Sequence, residues 1–236
     1  MAMGILLATA AVVLVVGLAL RIRLYWVTPA PLRIPTMPAP LTRRGAALRV
    51  AREVVLFHSL FRGDKLLWLA SMLFHAGLAL VLARHLRYAF DPAPLPVVLV
   101  QPLGLYGSFA MMAGLALLLA RRLVLSAVRH VSRATDYGWL LLLLAIGGSG
   151  LAMTFLVHTD IMGLKAFLAG NGPLPGDPAL VAHLALVAAL ALGLPFSKLL
   201  HIPGIFFSPT RNQADDARDR RHVAPWARSF DEAGHG

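Results

Sequence analysis

Apolar residues along this chain come in long, nearly unbroken runs, separated by short stretches rich in proline, glycine or arginine. Runs that cover roughly 17–25 residues of helix match the hydrocarbon core of a bilayer, whereas soluble helices show a narrower apolar stripe. Five such runs are present, at about residues 5–20, 66–84, 103–120, 137–157 and 179–200. The pattern predicts an all-α membrane protein, a bundle of five transmembrane helices. No Lys or Arg precedes the first run, and Arg21 and Arg23 follow it where a signal peptide would carry a small-residue cleavage site, so it reads as a retained helix.

The stretches between the runs are distinct in kind. "TPAPLRIPTMPAPLTRR" is too rich in proline for a regular helix, because proline lacks the backbone N–H and fixes its own φ; it reads as an extended linker. "GAALRVAREVVLFHSLF" then places basic and apolar residues at helical spacing. This suits a helix lying in the headgroup plane or docked on a partner, and equally an ordinary surface helix leading into the second span. "SPTRNQADDARDRRHVAPW" mixes opposite charges with a single Trp and no apolar period, as an exposed tail or docking segment does. The expected organisation is a first transmembrane helix (1–20), a cytoplasmic linker and amphipathic segment (21–65), a four-helix core (66–206) and a cytoplasmic tail (207–236).

Composition agrees: 58 % of residues are hydrophobic and only 14 % charged, too few to wet the surface of a soluble domain. The formal net charge of +11 does not signal nucleic-acid binding, because the cations lie between apolar runs instead of on one amphipathic domain. Sorted by loop, nineteen of the 22 Lys and Arg fall on one side of the membrane. The positive-inside rule makes that side cytoplasmic, with the N-terminus outside and the C-terminus inside. The chain has no cysteine, so it holds no iron–sulfur cluster, disulfide or covalently attached c-type haem. Neither a HExxH motif nor a glycine-rich phosphate loop is present. A proton-coupled transporter would show inverted repeats and carboxylates within its spans, and the sequence has neither.

Four histidines stand out, because ionisable groups in spans are costly and are kept where they pair, face an interior or carry out chemistry. His75 and His85 lie on the second run and His183 and His201 on the fifth. These two runs cross in opposite directions, so His75 meets His201 in depth and His85 meets His183. A pair of neutral imidazoles across a gap is a complete axial ligand set for haem iron, and the flat porphyrin fills the space between helices. The pattern therefore points to two bis-histidine haem sites stacked across the membrane. Ten residues of helix rise about 15 Å and eighteen about 27 Å, so tilt or a bend at Pro195 has to absorb the difference. Gly77 and the "GGSG" of residues 147–150 offer close helix approach or volume for a macrocycle. Arg84 and Arg87 flank His85 and are candidates for quinone or propionate contacts, or for interfacial anchoring. His158, at the end of the fourth run, is a candidate for quinol proton transfer or an ordinary interfacial histidine. The remaining alternative is a cofactor-free membrane anchor, in which the histidines would be replaceable.

"LFHAGLALVLARH", "RRLVLSAVRH" and above all "HLALVAALALGLPFSKLLHIPG" resemble the gamma subunit of respiratory nitrate reductase and its relatives, di-haem b-type membrane cytochromes of five spans. The resemblance covers roughly residues 66–206. It implies that His75 and His201 hold the haem nearer the cytoplasm and His85 and His183 the haem nearer the outer face, with quinol oxidised near the outer haem. The proline-rich loop, "FHSLFRGDKLLW" and the charged tail are more similar to the membrane cytochrome of the dissimilatory sulfite reductase-associated complex. That branch implies electron transfer between the quinone or menaquinone pool and a cytoplasmic heterodisulfide-reductase-like iron–sulfur subunit in sulfur metabolism. Further implied partners are periplasmic multihaem cytochrome and ferredoxin-like subunits and another membrane subunit. The chain would be a multi-pass protein of the bacterial inner membrane, an electron-transfer subunit that does not itself act on the terminal substrate. The alternative within the resemblance is a nitrate reductase gamma subunit oxidising quinol. The lysine that the nitrate reductase subunit uses near its quinone site has no obvious counterpart here, and the outer loop after the second span offers Arg84 and Arg87.

Overall fold

The computed structural model describes residues 1–29 and 38–215. Most of the proline-rich linker and most of the charged tail lie outside the described residues. Among those described, the secondary structure is helical throughout. The elements are α1 (Ala2–Val27), α2 (Arg43–Leu56), α3 (His58–Gly63), α4 (Lys65–His85), α5 (Leu95–Val124), α6 (Ser126–Val131), α7 (Ala134–Ala152), α8 (Ile161–Leu168), α9 (Pro178–Gly193), α10 (His201–Gly204) and α11 (Pro209–Asn212). Five helical segments are long and apolar enough to cross a membrane: Ala2–Val27, Lys65–Tyr88, Leu95–Val124, Ala134–Val157 and Pro178–Phe196. Each overlaps one of the five predicted runs. Large apolar side chains such as Leu66, Leu82, Leu99, Leu141 and Phe196 are exposed along them, as expected where the surrounding solvent is lipid.

The chain divides into two compact units. One comprises Met1–Leu18 with Leu56–Ser197, the other Ala19–Val55 with Lys198–Gly236. In the first, α4 packs on α5, α5 on α7 and α7 on α9. The α4–α5 contact is backbone on backbone. A Cβ on Gly77 would lie 2.5 Å from Gly107 O, and one on Gly114 would lie 2.5 Å from Phe74 N. Only glycine lets the axes come so near, and without a hydrophobic drive between helices in lipid, such close packing is what holds them. Phe74, Met111 and Leu115 form the buried centre beside this seam, with Leu140, Leu143 and Leu144 of α7 closing it.

Helix ends are set by local chemistry. Asp64 caps α4 by accepting from Leu67 N (2.9 Å) and also accepts from Arg121 Nη2 of α5 (2.8 Å). The Leu67 N–H first, and then the Arg121 guanidinium, hold its carboxyl below the usual range. Helix α5 starts eight residues before the predicted boundary. Pro94 stands at its N-cap and Pro96 in its first turn, where a missing N–H costs nothing. These two prolines therefore mark the start of the helix.

Asp177 caps α9, accepting from Ala179 N (2.9 Å) and from Thr159 Oγ1 (2.6 Å), and so ties the start of α9 to the end of the preceding span. The Thr159 hydroxyl, with the Ala179 and Leu180 N–H groups, lowers its pKa below the ordinary 3.8 against a smaller opposing effect of burial. A carboxylate held low in the folded state stabilises above its unfolded pKa, and that contribution fades as pH falls through the folded value. Asp177→Asn is therefore expected to lower stability near pH 7 and to flatten the acid limb of a stability–pH curve below about pH 4. Thermal unfolding in detergent across that range is the check, and an unchanged acid limb would contradict it.

The predicted fifth helix, 179–200, is not continuous. Helix α9 ends at Gly193, and 3-10 turns at Leu194–Phe196 and Lys198–Leu200 follow. Pro195 cannot donate to the preceding turn, and its buried ring packs where a Cβ on Gly17 would lie 2.6 Å away. In the second unit, Arg211 pairs with Glu53 of α2 (3.2 Å), and Phe207 packs against Tyr25 and Trp26.

Candidate functional site

His85 ends α4 and His183 lies in the second turn of α9. Their imidazoles approach to 6.4 Å between centroids, with ring planes within 15° of parallel. Direct stacking would require much closer rings. Two metal–nitrogen bonds of about 2 Å, plus about 1 Å from each nitrogen to its centroid, instead separate two axial imidazoles on one metal by about 6 Å. Helices α4 and α9 make no backbone approach comparable to those of α4 with α5 or α7 with α9. The histidine rings thus approach each other from helices whose backbones do not pack directly.

The proton positions fit the same use. His85 Nδ1 donates to Val81 O (2.7 Å). His183 Nδ1 contacts Ser149 Oγ (2.9 Å), and the Ser149 hydroxyl itself donates to Ile146 O (2.9 Å), so the proton in the first contact belongs to His183. Both rings are thereby held as the tautomer with its lone pair on Nε2, the orientation in which ligating histidines are usually fixed. His183 is buried, and Gly150 lets its edge lie close: a Cβ there would be 3.5 Å from His183 Cε1. A π-helical turn at Met153–Val157 follows, a local feature frequent at functional sites. Among the described residues no three His, Cys, Asp or Glu converge to hold a metal, and the site consists of the two imidazoles.

His75 is half-buried ten residues earlier on α4, and its Nδ1 donates to Ser71 O (2.8 Å). Phe74 and Phe57 meet its ring edge-on at 4.6 and 5.0 Å. Phe57 adopts a left-handed φ of 48°, a strained conformation for a bulky residue of the kind that clusters at functional sites. His201, in the second unit, begins α10, with Nδ1 3.4 Å from Lys198 O.

The flanking arginines differ in role. Arg84 Nη1 donates to Gln101 O (2.9 Å), and Gln101 Nε2 returns bonds to Arg84 O (3.3 Å) and Val97 O (2.8 Å). That exchange staples α4 to α5. Arg87 bonds Tyr88 OH through Nη2 (3.0 Å), reaches Gln101 Oε1 at 3.4 Å, and has a buried Nε without a hydrogen-bond partner. Tyr88 in turn lies 5.7 Å edge-on from His85. His158 is exposed and left-handed (φ 56°) where the fourth span ends. Lys165 of α8 bonds Phe90 O (3.0 Å) and pairs with Asp91 (3.6 Å) in the loop after Tyr88.

Sequence reasoning missed Ser149, Gln101, Tyr88 and Phe57. Ser149 sat inside a motif read for its glycines, although one hydroxyl amid an apolar run is itself a signal. Gln101 was similarly visible as an amide at the level of two arginines, but its partners depend on how α4 and α5 pack.

The family described as nitrate reductase gamma subunit matches residues 57–168, which include His75, His85 and Ser149 and end before His183. The Hdr-like menaquinol oxidoreductase cytochrome b-like subunit of Archaeoglobus fulgidus is 34 % identical over 267 aligned residues, covering 92 % of this chain and 80 % of its own length. The protein of the same description from Archaeoglobus profundus is 31 % identical over 266, with 91 % and 79 % covered.

Proposed function

Because the chain belongs to the family of Hdr-like menaquinol oxidoreductase cytochrome b-like subunits, we propose that it is the membrane cytochrome b of such a complex. In this reading it holds two b haems and conducts electrons between menaquinone and a cytoplasmic heterodisulfide-reductase-like iron–sulfur subunit in dissimilatory sulfur metabolism. The observation that carries it is the His85–His183 pair at 6.4 Å with parallel rings and both Nδ1 positions occupied. His85 and His183 would hold one haem between them, and when bound it would supply a one-electron couple.

The residues of the chain do the rest. Val81 O and Ser149 hold the two rings in one tautomer, and the α4–α5 and α7–α9 contacts hold their helices at ligand distance. His75 and His201 are assigned to the second haem on their positions along the sequence, at matching depth on two runs of opposite direction. Arg87, with Tyr88 between it and His85, is the better candidate for a contact with a propionate or quinone oxygen, since Arg84 is committed to Gln101. His158 is assigned to proton release at the same membrane face. Placing nineteen of 22 Lys and Arg in the cytoplasm supports an N-terminus outside and a C-terminus inside.

The test is the haem b content of the purified complex, by reduced-minus-oxidised spectra and pyridine extraction. Two b haems per chain are expected. None, in folded protein supplied with haem, would overturn the reading and leave a cofactor-free anchor.

A further inference from the structure

The two histidines of the site are alike in tautomer but differ in what holds the Nδ1 proton. His85 donates to a peptide carbonyl of its own helix, whereas His183 reaches across to α7 and donates to the hydroxyl of Ser149. That hydroxyl has only one proton, and Ile146 O takes it. The serine is therefore locked as an acceptor toward His183, and its donated bond polarises it further. His183 is buried where it meets Ser149, so this bond both sets the ring plane and determines how strongly Nε2 donates. A hydroxyl is a weaker acceptor than a peptide carbonyl, so His183 is the less electron-rich of the pair.

We infer that Ser149 is a positioning residue for His183, one that fixes its ring plane and holds the reduction potential of the centre at the His85–His183 pair above that of an otherwise equal site with two carbonyl-bonded ligands. The inference rests on the haem assignment proposed above. Weakening the Nδ1 bond makes the imidazole a poorer donor and favours the reduced iron, so the potential rises; a stronger acceptor lowers it.

The experiment uses the intact complex carrying Ser149→Ala, Ser149→Asn or Ser149→Thr, with potentiometric titration of both b haems and low-temperature EPR. Ser149→Ala is expected to raise the potential of one haem by roughly tenfold in its reduction equilibrium constant, or 59 mV for a one-electron couple. Ser149→Asn, whose amide carbonyl is the stronger acceptor, is expected to lower the same haem. Ser149→Thr restores the wild-type value, and the other haem stays in place throughout. The EPR anisotropy of the affected haem changes in the Ala variant, because its ring is no longer held. If Ser149→Ala loses that one haem, its return in Ser149→Thr supports the positioning role. Unmoved potentials, shifts of the same sign in Ala and Asn, or equal shifts of both haems would overturn the inference. Failure of the haem assignment is distinguishable, because a complex whose haem content ignores His183→Ala exposes it before any serine variant is made.

Discussion

On the proposed two-haem reading, His183→Ala is expected to remove one of the two b haems from the complex and to lower electron transfer from menaquinol by more than about a hundredfold, beyond the 10–100-fold typical of losing a ligand's outer partner. Alanine cannot ligate iron, and among the described residues no third His, Cys, Asp or Glu joins the pair to replace it. His85→Ala is expected to remove the same haem, because the two rings lie 6.4 Å apart. The pairing makes the double variants informative. His85→Ala with His183→Ala should still retain one haem, since both changes empty one site, whereas His75→Ala with His183→Ala should retain none. Haem content by pyridine extraction reads both. A complex that loses every haem in the first double variant, or keeps one in the second, has its ligands paired differently from the assignment made here.

The second large effect belongs to the glycine seam. A Cβ on Gly77 would fall 2.5 Å from Gly107 O and 2.6 Å from Met111 N, and one on Gly114 2.5 Å from Phe74 N and 2.7 Å from Ala70 O. These neighbours are backbone, which cannot turn aside as a flexible side chain can, so the helices have to separate. Forcing extra volume into a packed core costs about 1–3 kcal/mol per site. Gly77→Val and Gly114→Val are thus each expected to lower stability in detergent by about that amount, with the valine rotamers adding to it. Because α4 carries both His75 and His85, haem retention is expected to fall with it on the proposed ligand assignment. Gly148→Ala is the matched control, since a Cβ there meets nothing within 4 Å. Thermal unfolding monitored by loss of haem absorbance compares the three, and equal behaviour of Gly114→Val and Gly148→Ala would refute the close-packing account.

The number and rough extent of the spans were legible in the sequence because one physical fact dominates: a bilayer demands a long apolar helix wherever the chain crosses it. The same constraint made the four histidines conspicuous, since an ionisable group in hydrocarbon is expensive enough to require a reason. His85 and His183 could be matched by depth alone, because helical rise is fixed and adjacent spans alternate in direction.

Depth along an axis says nothing about rotation around it or about the neighbour a side chain meets. That Ser149 holds His183, that Gln101 draws Arg84 away from His85 while Arg87 stays beside Tyr88, and that Pro94 and Pro96 open a helix were decided by tertiary packing. The Ser149–His183 and Arg84–Gln101 contacts join residues 34 and 17 positions apart, and the prolines matter through the turn of the helix they occupy; apolar periodicity carries neither. The chain by itself determined a five-span, four-histidine membrane protein through the cost of burying polar groups in lipid. The approach of α4 to α5 through glycines and of α7 to α9 through Gly150 and Ser149 decided which two imidazoles face each other and what holds each of them.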